Sequence, residues 1–113
     1  PSGLGSKTMS MDDRKAAFEN RFAHDAELRF KTEARRNKLL GIWAAGLLGK
    51  SGDEGLAYAM DVVKADLADH GDEDVFRKIR ADFDAVGVVQ SDHQIRRTMG
   101  DLLEVAKRQV MEE

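Results

Sequence analysis

Cysteine is absent from the 113 residues, and the one proline is the first residue. Without thiols there is no disulfide framework, no Cys-based zinc site and no thiol nucleophile. Without internal proline, no position from 2 to 113 forces a helix break by lacking its backbone donor. Aromatic residues are scarce at 6%, fewer than a β-sandwich draws on for its strands. No apolar run approaches the roughly 20 residues that cross a bilayer as a helix. No signal peptide is visible, which makes the cytoplasm the default compartment. An excess of basic charge is missing too. The formal net charge is −3, which argues against nucleic-acid or anionic-membrane binding as the main activity.

What is present is charge of both signs, 35% of the chain, at a length that fits one domain. Residues 1–8, PSGLGSKT, are small, polar and aperiodic, and read as a leader added ahead of a natural start at Met9 or Met11. From Asp12 to about Leu48 no strong stop signal interrupts the helical pattern, and Asp12 or Asp13 suits the positive end of a helix. Phe18, Phe22, Ala26 and Phe30 recur every four residues, a thin apolar seam on an otherwise charged helix. Such a helix is marginal alone and gains order by docking. In KLLGIWAAGLL, Leu39, Leu40, Ile42, Trp43, Leu47 and Leu48 cover most of the circumference, so this stretch reads as a buried helix. Gly41 and Gly46 within it would let another helix approach closely.

Three further helices follow. Ser51 with Glu54 forms one capping-box pattern and Ser91 with Gln94 another. Between them His70-Gly71 reads as a left-handed stop and Asp72 as the next cap. The apolar faces are Leu56, Met60, Val63 and Leu67; then Val75, Phe76, Ile79, Phe83 and Val86, ending at Gly87; then Ile95, Met99, Leu102, Leu103, Ala106 and Val110. The run from Val86 to Val89 is too short for a sheet. The expected fold is all-α: a four-helix bundle over residues 38–113, with residues 9–37 as an amphipathic N-terminal arm and connecting helix, flexible or partly helical.

Several patterns hint at chemistry. Gly49-Lys50-Ser51 ends like a phosphate-binding loop, but Ala44 stands where that motif needs glycine, and a helix precedes it where a strand is required. A helix terminator is the simpler reading, with a weak ATP or ADP contact at Lys50 and Ser51 as the alternative. Asp66, Asp69, Asp72, Glu73 and Asp74 miss the register of a calcium loop and read as capping and solvated charge. His24, His70 and His93 stand apart, without metal-ligand spacing. Arg35, Arg36, Arg96 and Arg97 suggest DNA, yet ion pairing fits an acidic chain better. Nothing in these patterns points to catalysis.

The specific residues go further. Asp12-Asp13-Arg14 with Ala17-Phe18, FAHDAELRFKTEARRNKLLGIWAAGLLGK from Phe22, VVKAD from Val62, GDEDVFRKIRADFDA from Gly71 and SDHQIRR from Ser91 occur in one order. Together they resemble the ζ subunit family of alphaproteobacterial F1FO-ATP synthases, across nearly the whole chain from Met9. The resemblance implies a four-helix bundle, no catalytic activity, no cofactor and inhibition of ATP hydrolysis. It implies as partners the F1-ATPase α, β and γ subunits, without nucleic acid, and a cytoplasmic site peripheral to the inner membrane through the synthase. In that family the inhibitory element is the N-terminal segment, which functionally resembles the mitochondrial ATPase inhibitor protein and enters a catalytic α/β interface near γ. The matching positions here are Met11, Asp12, Asp13, Arg14, Lys15, Phe18, Arg21 and Phe22. Phe18 and Phe22 would be apolar anchors, and the charged residues would fix register. Met11 stands where the family pattern has Phe, and Gly46 where it has an acid. The arm carries its own charge balance: from Met11 to Lys38, eight Lys and Arg face six Asp and Glu.

Overall fold

The computed structural model describes residues 10–69 and 71–113. Among them the chain forms α1 (Met11–His24), α2 (Ala26–Leu47), α3 (Gly52–Asp69), α4 (Asp72–Val86) and α5 (Asp92–Met111), with no strand. Helices α2 to α5 pack as the expected four-helix bundle, with α2 against both α3 and α5. Its first helix, however, starts at Ala26 and not near Lys38, and Thr32, Arg36 and Asn37, placed in the connecting helix by the sequence reading, are buried. The proposed leader, Leu67 and His70 lie outside the described side chains.

The first difference from the sequence reading is a break at Asp25. The expected run from Asp12 to Leu48 is two helices, because Asp25 takes extended dihedrals (φ −113°, ψ 105°) and its carboxylate accepts the Leu28 N–H at 3.1 Å. Its own N–H still closes α1 on the Arg21 carbonyl at 2.7 Å. An aspartate that can cap locally competes with helix continuation. The start of α1 is likewise set by an unforeseen cap, the Ser10 hydroxyl, which accepts the Asp13 N–H at 3.1 Å. Asp12 and Asp13 occupy the first turn instead.

The main core joins Leu40, Ala44 and Ala45 of α2, Tyr58 and Val62 of α3, Val75, Phe76, Ile79 and Phe83 of α4, and Ile95 and Met99 of α5. Trp43 meets Phe83 edge-on, with centroids 5.7 Å apart. The buried face of α3 is rotated from the expected one. Leu56 and Met60 are exposed, and Gly55, Tyr58, Ala59 and Val62 point inward. The cause is the α2–α3 crossing: a Cβ on Gly41 would lie 2.5 Å from the Ala59 Cα, so only small side chains fit between the backbones. The same crossing leaves Ile42 and Leu47 exposed, so α2 is not buried all round as its composition suggested. Val86 is exposed too, just before the left-handed cap Gly87 (φ 75°).

Gly46 does not share the role of Gly41. A Cβ there meets nothing within 4 Å. Gly46→Ala should therefore raise stability by about 1 kcal/mol through helix propensity. Gly41→Ala should lower it by about 1–3 kcal/mol through forced separation of the backbones. Urea melts of the two variants check the opposite signs.

The caps mix agreement and correction. Ser91 and Gln94 form the expected reciprocal box, at 3.0 and 2.9 Å. Ser51 and Glu54 do not. Gly52 enters α3 left-handed (φ 55°), the Gly55 N–H donates to the Ser51 carbonyl at 3.2 Å, and Glu54 faces Lys50 at 3.8 Å. Gly71 is an extended N-cap of α4 (φ −143°, ψ 147°), not a left-handed stop, and Asp72 is the first helical residue after it.

Candidate partner-binding arm

Helix α1 stands apart from the main core. Its apolar seam builds a second, small cluster: Phe18, Leu28 and Val110, with Phe22 and Met111 packed against it. Phe18 is only 6% exposed, and its ring lies 6.3 Å from that of Phe22. The seam ends there. Ala26, just past the break at Asp25, is exposed, and Phe30 is 58% exposed.

Both ends of α1 are electrostatically matched. Asp12 and Asp13 sit in its first turn, Arg21 and His24 in its last. The Arg29 guanidinium donates to the carbonyls of Phe22 and Ala23 at 3.3 and 3.2 Å, satisfying acceptors that the helix end leaves open. Met11, Asp12, Asp13, Arg14, Lys15 and Arg21 are all exposed. Arg21 faces Asp25 at a loose 3.8 Å. Thus the structure brings the eight sequence-proposed residues onto one short helix, with six of them exposed, Phe18 turned inward and Phe22 half-buried. The inner side meets α5 through Lys107, whose ammonium is 3.1 Å from the Glu19 carboxylate and 4.6 Å from the centre of the Phe22 ring. Glu19 and Lys107 carried no signal in the sequence beyond their charge.

Lys50 and Ser51 lie elsewhere, in the α2–α3 connection, lining a groove with Ile42, Gly46 and Leu56. The amides of Gly49 and Lys50 donate to Gly46 and Ala45 at 3.3 and 2.8 Å, closing the end of α2. Amides committed to a helix end do not point at a phosphate in the way a phosphate-binding loop requires.

The basic pairs are mostly held within the fold. Arg96 reaches both Glu73 oxygens, at 3.1 and 2.9 Å, and stacks 3.8 Å from the Phe76 ring centre. That hydrogen bond holds the Glu73 carboxyl below the usual carboxylate range. Arg35 meets Gln109 at 3.2 Å and also the Glu113 carboxylate. Lys31 joins Arg35 in lowering the Glu113 pKa. Arg97 is exposed, 3.9 Å from Asp101.

The acidic cluster holds a surprise. Arg36, 1% exposed, extends beneath it. Its Nε donates to Asn37 at 2.7 Å and its Nη2 to Asp72 at 2.7 Å, while Asn37 Nδ2 donates to Asp66 at 3.1 Å. Burial, then Asp72 and Asp66, raise the pKa of neighbouring Glu33. Across the bundle, burial and the hydrogen bond to Asp82 raise that of Tyr58. Among the described residues, no group of three His, Asp or Glu side chains is placed to hold a metal ion. No described helix is long and apolar enough to cross a membrane.

A comparison with curated proteins found no match. The chain is similar to a protein solved by solution NMR, at 49% identity and a TM-score of 0.67, over 75% of this chain and 96% of that one. The family model described as ATPase inhibitor subunit zeta matches residues 8–109, a span that takes in the arm as well as the bundle. By that match, the chain belongs to the ATPase inhibitor subunit zeta family.

Proposed function

We propose that this chain inhibits ATP hydrolysis by the rotary ATP synthase by inserting residues 11–22 at a catalytic α/β interface near γ. Membership of an ATPase inhibitor family supports the inhibitory role. The observation that carries the arm as its agent is the separation of the two apolar clusters. The main core draws every buried member from α2 to α5, whereas α1 contributes only to the small Phe18–Leu28–Val110 cluster. A helix held so lightly can leave the bundle without unfolding it.

In a cleft of the motor, Phe18 and Phe22 are the anchors that become fully desolvated. Asp12, Asp13, Arg14, Lys15 and Arg21, all exposed here, set register by pairing with charges of the partner. A helix wedged against γ blocks one step of a cyclic mechanism, so inhibition needs no chemistry from the inhibitor. The partners are then the α, β and γ subunits, and the chain meets the membrane only through the synthase.

Phe22→Ala tests this at a ring that is already half-exposed. Truncating an interface anchor costs on the order of tenfold in affinity. The inhibition curve on purified F1-ATPase should shift by about that factor, with the helical circular dichroism unchanged. An unshifted curve would remove Phe22 from the interface.

A further inference from the structure

The surface that now covers Phe18 has a role of its own. We propose that the C-terminal end of α5 is a docking face for the arm, which holds it in a form unable to engage the motor. This rests on the arm being the inhibitory element. The contacts that bury the anchors here lie within the chain: Phe18 clusters with Leu28 and Val110, Phe22 and Met111 pack against that cluster, Glu19 meets Lys107 at 3.1 Å and Lys107 lies over the Phe22 ring at 4.6 Å. A ring buried on its own bundle cannot also fill a partner's cleft, so the docked arm and the inserted arm exclude each other. Apparent affinity for the motor is then reduced by the fraction of molecules whose arm is free.

The docking face is built independently of the arm. Arg35 of α2 meets Gln109 and Glu113, and Lys31 meets Glu113, so α2 holds the last turn of α5 in place. Lys107 has a second carboxylate, Glu104 at 3.4 Å, and therefore keeps a partner when Glu19 departs. The surface stays formed and charged while the arm is away, as a reversible latch requires. The hinge is Asp25, the one non-helical residue between α1 and α2.

Two variants test the latch without altering any of the eight arm residues named as contacts; the second changes Ala17 and carries its own control, its reduced form. Lys107→Glu places like charge against Glu19 and removes the cation above Phe22. Its inhibition curve on F1-ATPase should shift to lower concentration by about fivefold. Trypsin cleavage after Arg14, Lys15 and Arg21 should accelerate similarly, while Lys107→Arg behaves as the parent. Weaker inhibition, or no change in both readouts, would overturn the latch. The second variant, Ala17→Cys with Met111→Cys, uses two positions that line one groove between α1 and α5 in a chain with no other thiol. Joined by a reducible thiol crosslinker, it should not inhibit until reductant is added. Full inhibition by the joined form would exclude docking as a restraint. Deleting residues 10–24 separates the two proposals. If that deletion still inhibits, the arm assignment fails. If it abolishes inhibition and the joined form inhibits too, only the latch fails.

Discussion

Deletion of residues 10–24 is expected to abolish inhibition of ATP hydrolysis and to leave a cooperatively melting bundle. Every buried member of the main core lies in α2 to α5, and none is removed. The deletion ends before Asp25, so α2 keeps the carboxylate that caps it through the Leu28 N–H. What is lost is the burial of Phe18 against Leu28 and Val110, about 2–3 kcal/mol. The Glu19–Lys107 pair goes too, half-exposed on its acidic side. A domain of this length loses about 4 °C per kcal/mol, so the melting point should fall by about 8–12 °C. Hydrolysis assays on F1-ATPase, beside thermal melts followed by circular dichroism, check both halves. Retained inhibition would place the inhibitory element in the bundle. Loss of the cooperative transition would show that α1 belongs to the folding unit and that the two clusters are one.

Arg36→Ala is expected to cost about 2–3 kcal/mol, the largest loss from a single side chain outside the apolar core. Arg36 is buried, and its hydrogen bonds reach its α2 neighbour Asn37 and Asp72 of α4. Removing it opens a cavity and takes the donor from the Asn37 carbonyl, whose amide still reaches Asp66 of α3. The figure sits below that for a fully buried ion pair because Asp72 is 64% exposed and water can take over its solvation. The variant should also respond to pH in a defined direction. The Glu33 pKa is raised by burial and by Asp72 and Asp66, and Arg36 opposes that rise. A carboxylate whose folded pKa lies above its unfolded value favours the folded state at low pH and loses that contribution as pH climbs through the folded pKa. Without Arg36 the rise is unopposed by that cation. The variant's deficit should therefore widen from the ordinary carboxylate range upward, and denaturant melts across pH 4 to 7 read it. A deficit that stays level across that range would mean that Glu33 does not feel the Arg36 charge.

Most of the architecture was legible because the boundaries between α4 and α5 are written in local chemistry. Gly87 requires the left-handed region, and Ser91 with Gln94 closes a reciprocal cap whatever the rest of the chain does. The rotated face of α3 was not legible. Leu56 and Met60 outrank Gly55 and Ala59 in hydrophobicity, and only the approach of α2 at Gly41 makes small residues the inward ones. Periodicity cannot see a distance between helices. The arm was visible as a thin aromatic seam, and its candidate residues fall on one helix, but where the seam docks depended on residues some ninety positions away, such as Val110. Arg36 was seen as part of a basic cluster. Its burial follows from carboxylates that the topology gathers from α3 and α4.

The break at Asp25 also sets the phase of the aromatic stripe. Residues four apart share a face only within one uninterrupted helix. As the chain stands, Phe18 and Phe22 point to the α5 end while Phe30 faces solvent, so the stripe holds two rings and not three. Were Asp25 to adopt helical dihedrals, α1 and α2 would fuse into a single rod of about 55 Å at 1.5 Å per residue. At about 100° per residue, Phe22 would then stand about 40° and Phe30 about 120° around the rod from Phe18, so the three rings would wind across its surface. The backbone angles of a single aspartate thus decide whether the first two rings turn back onto the end of α5 or travel out along a rod.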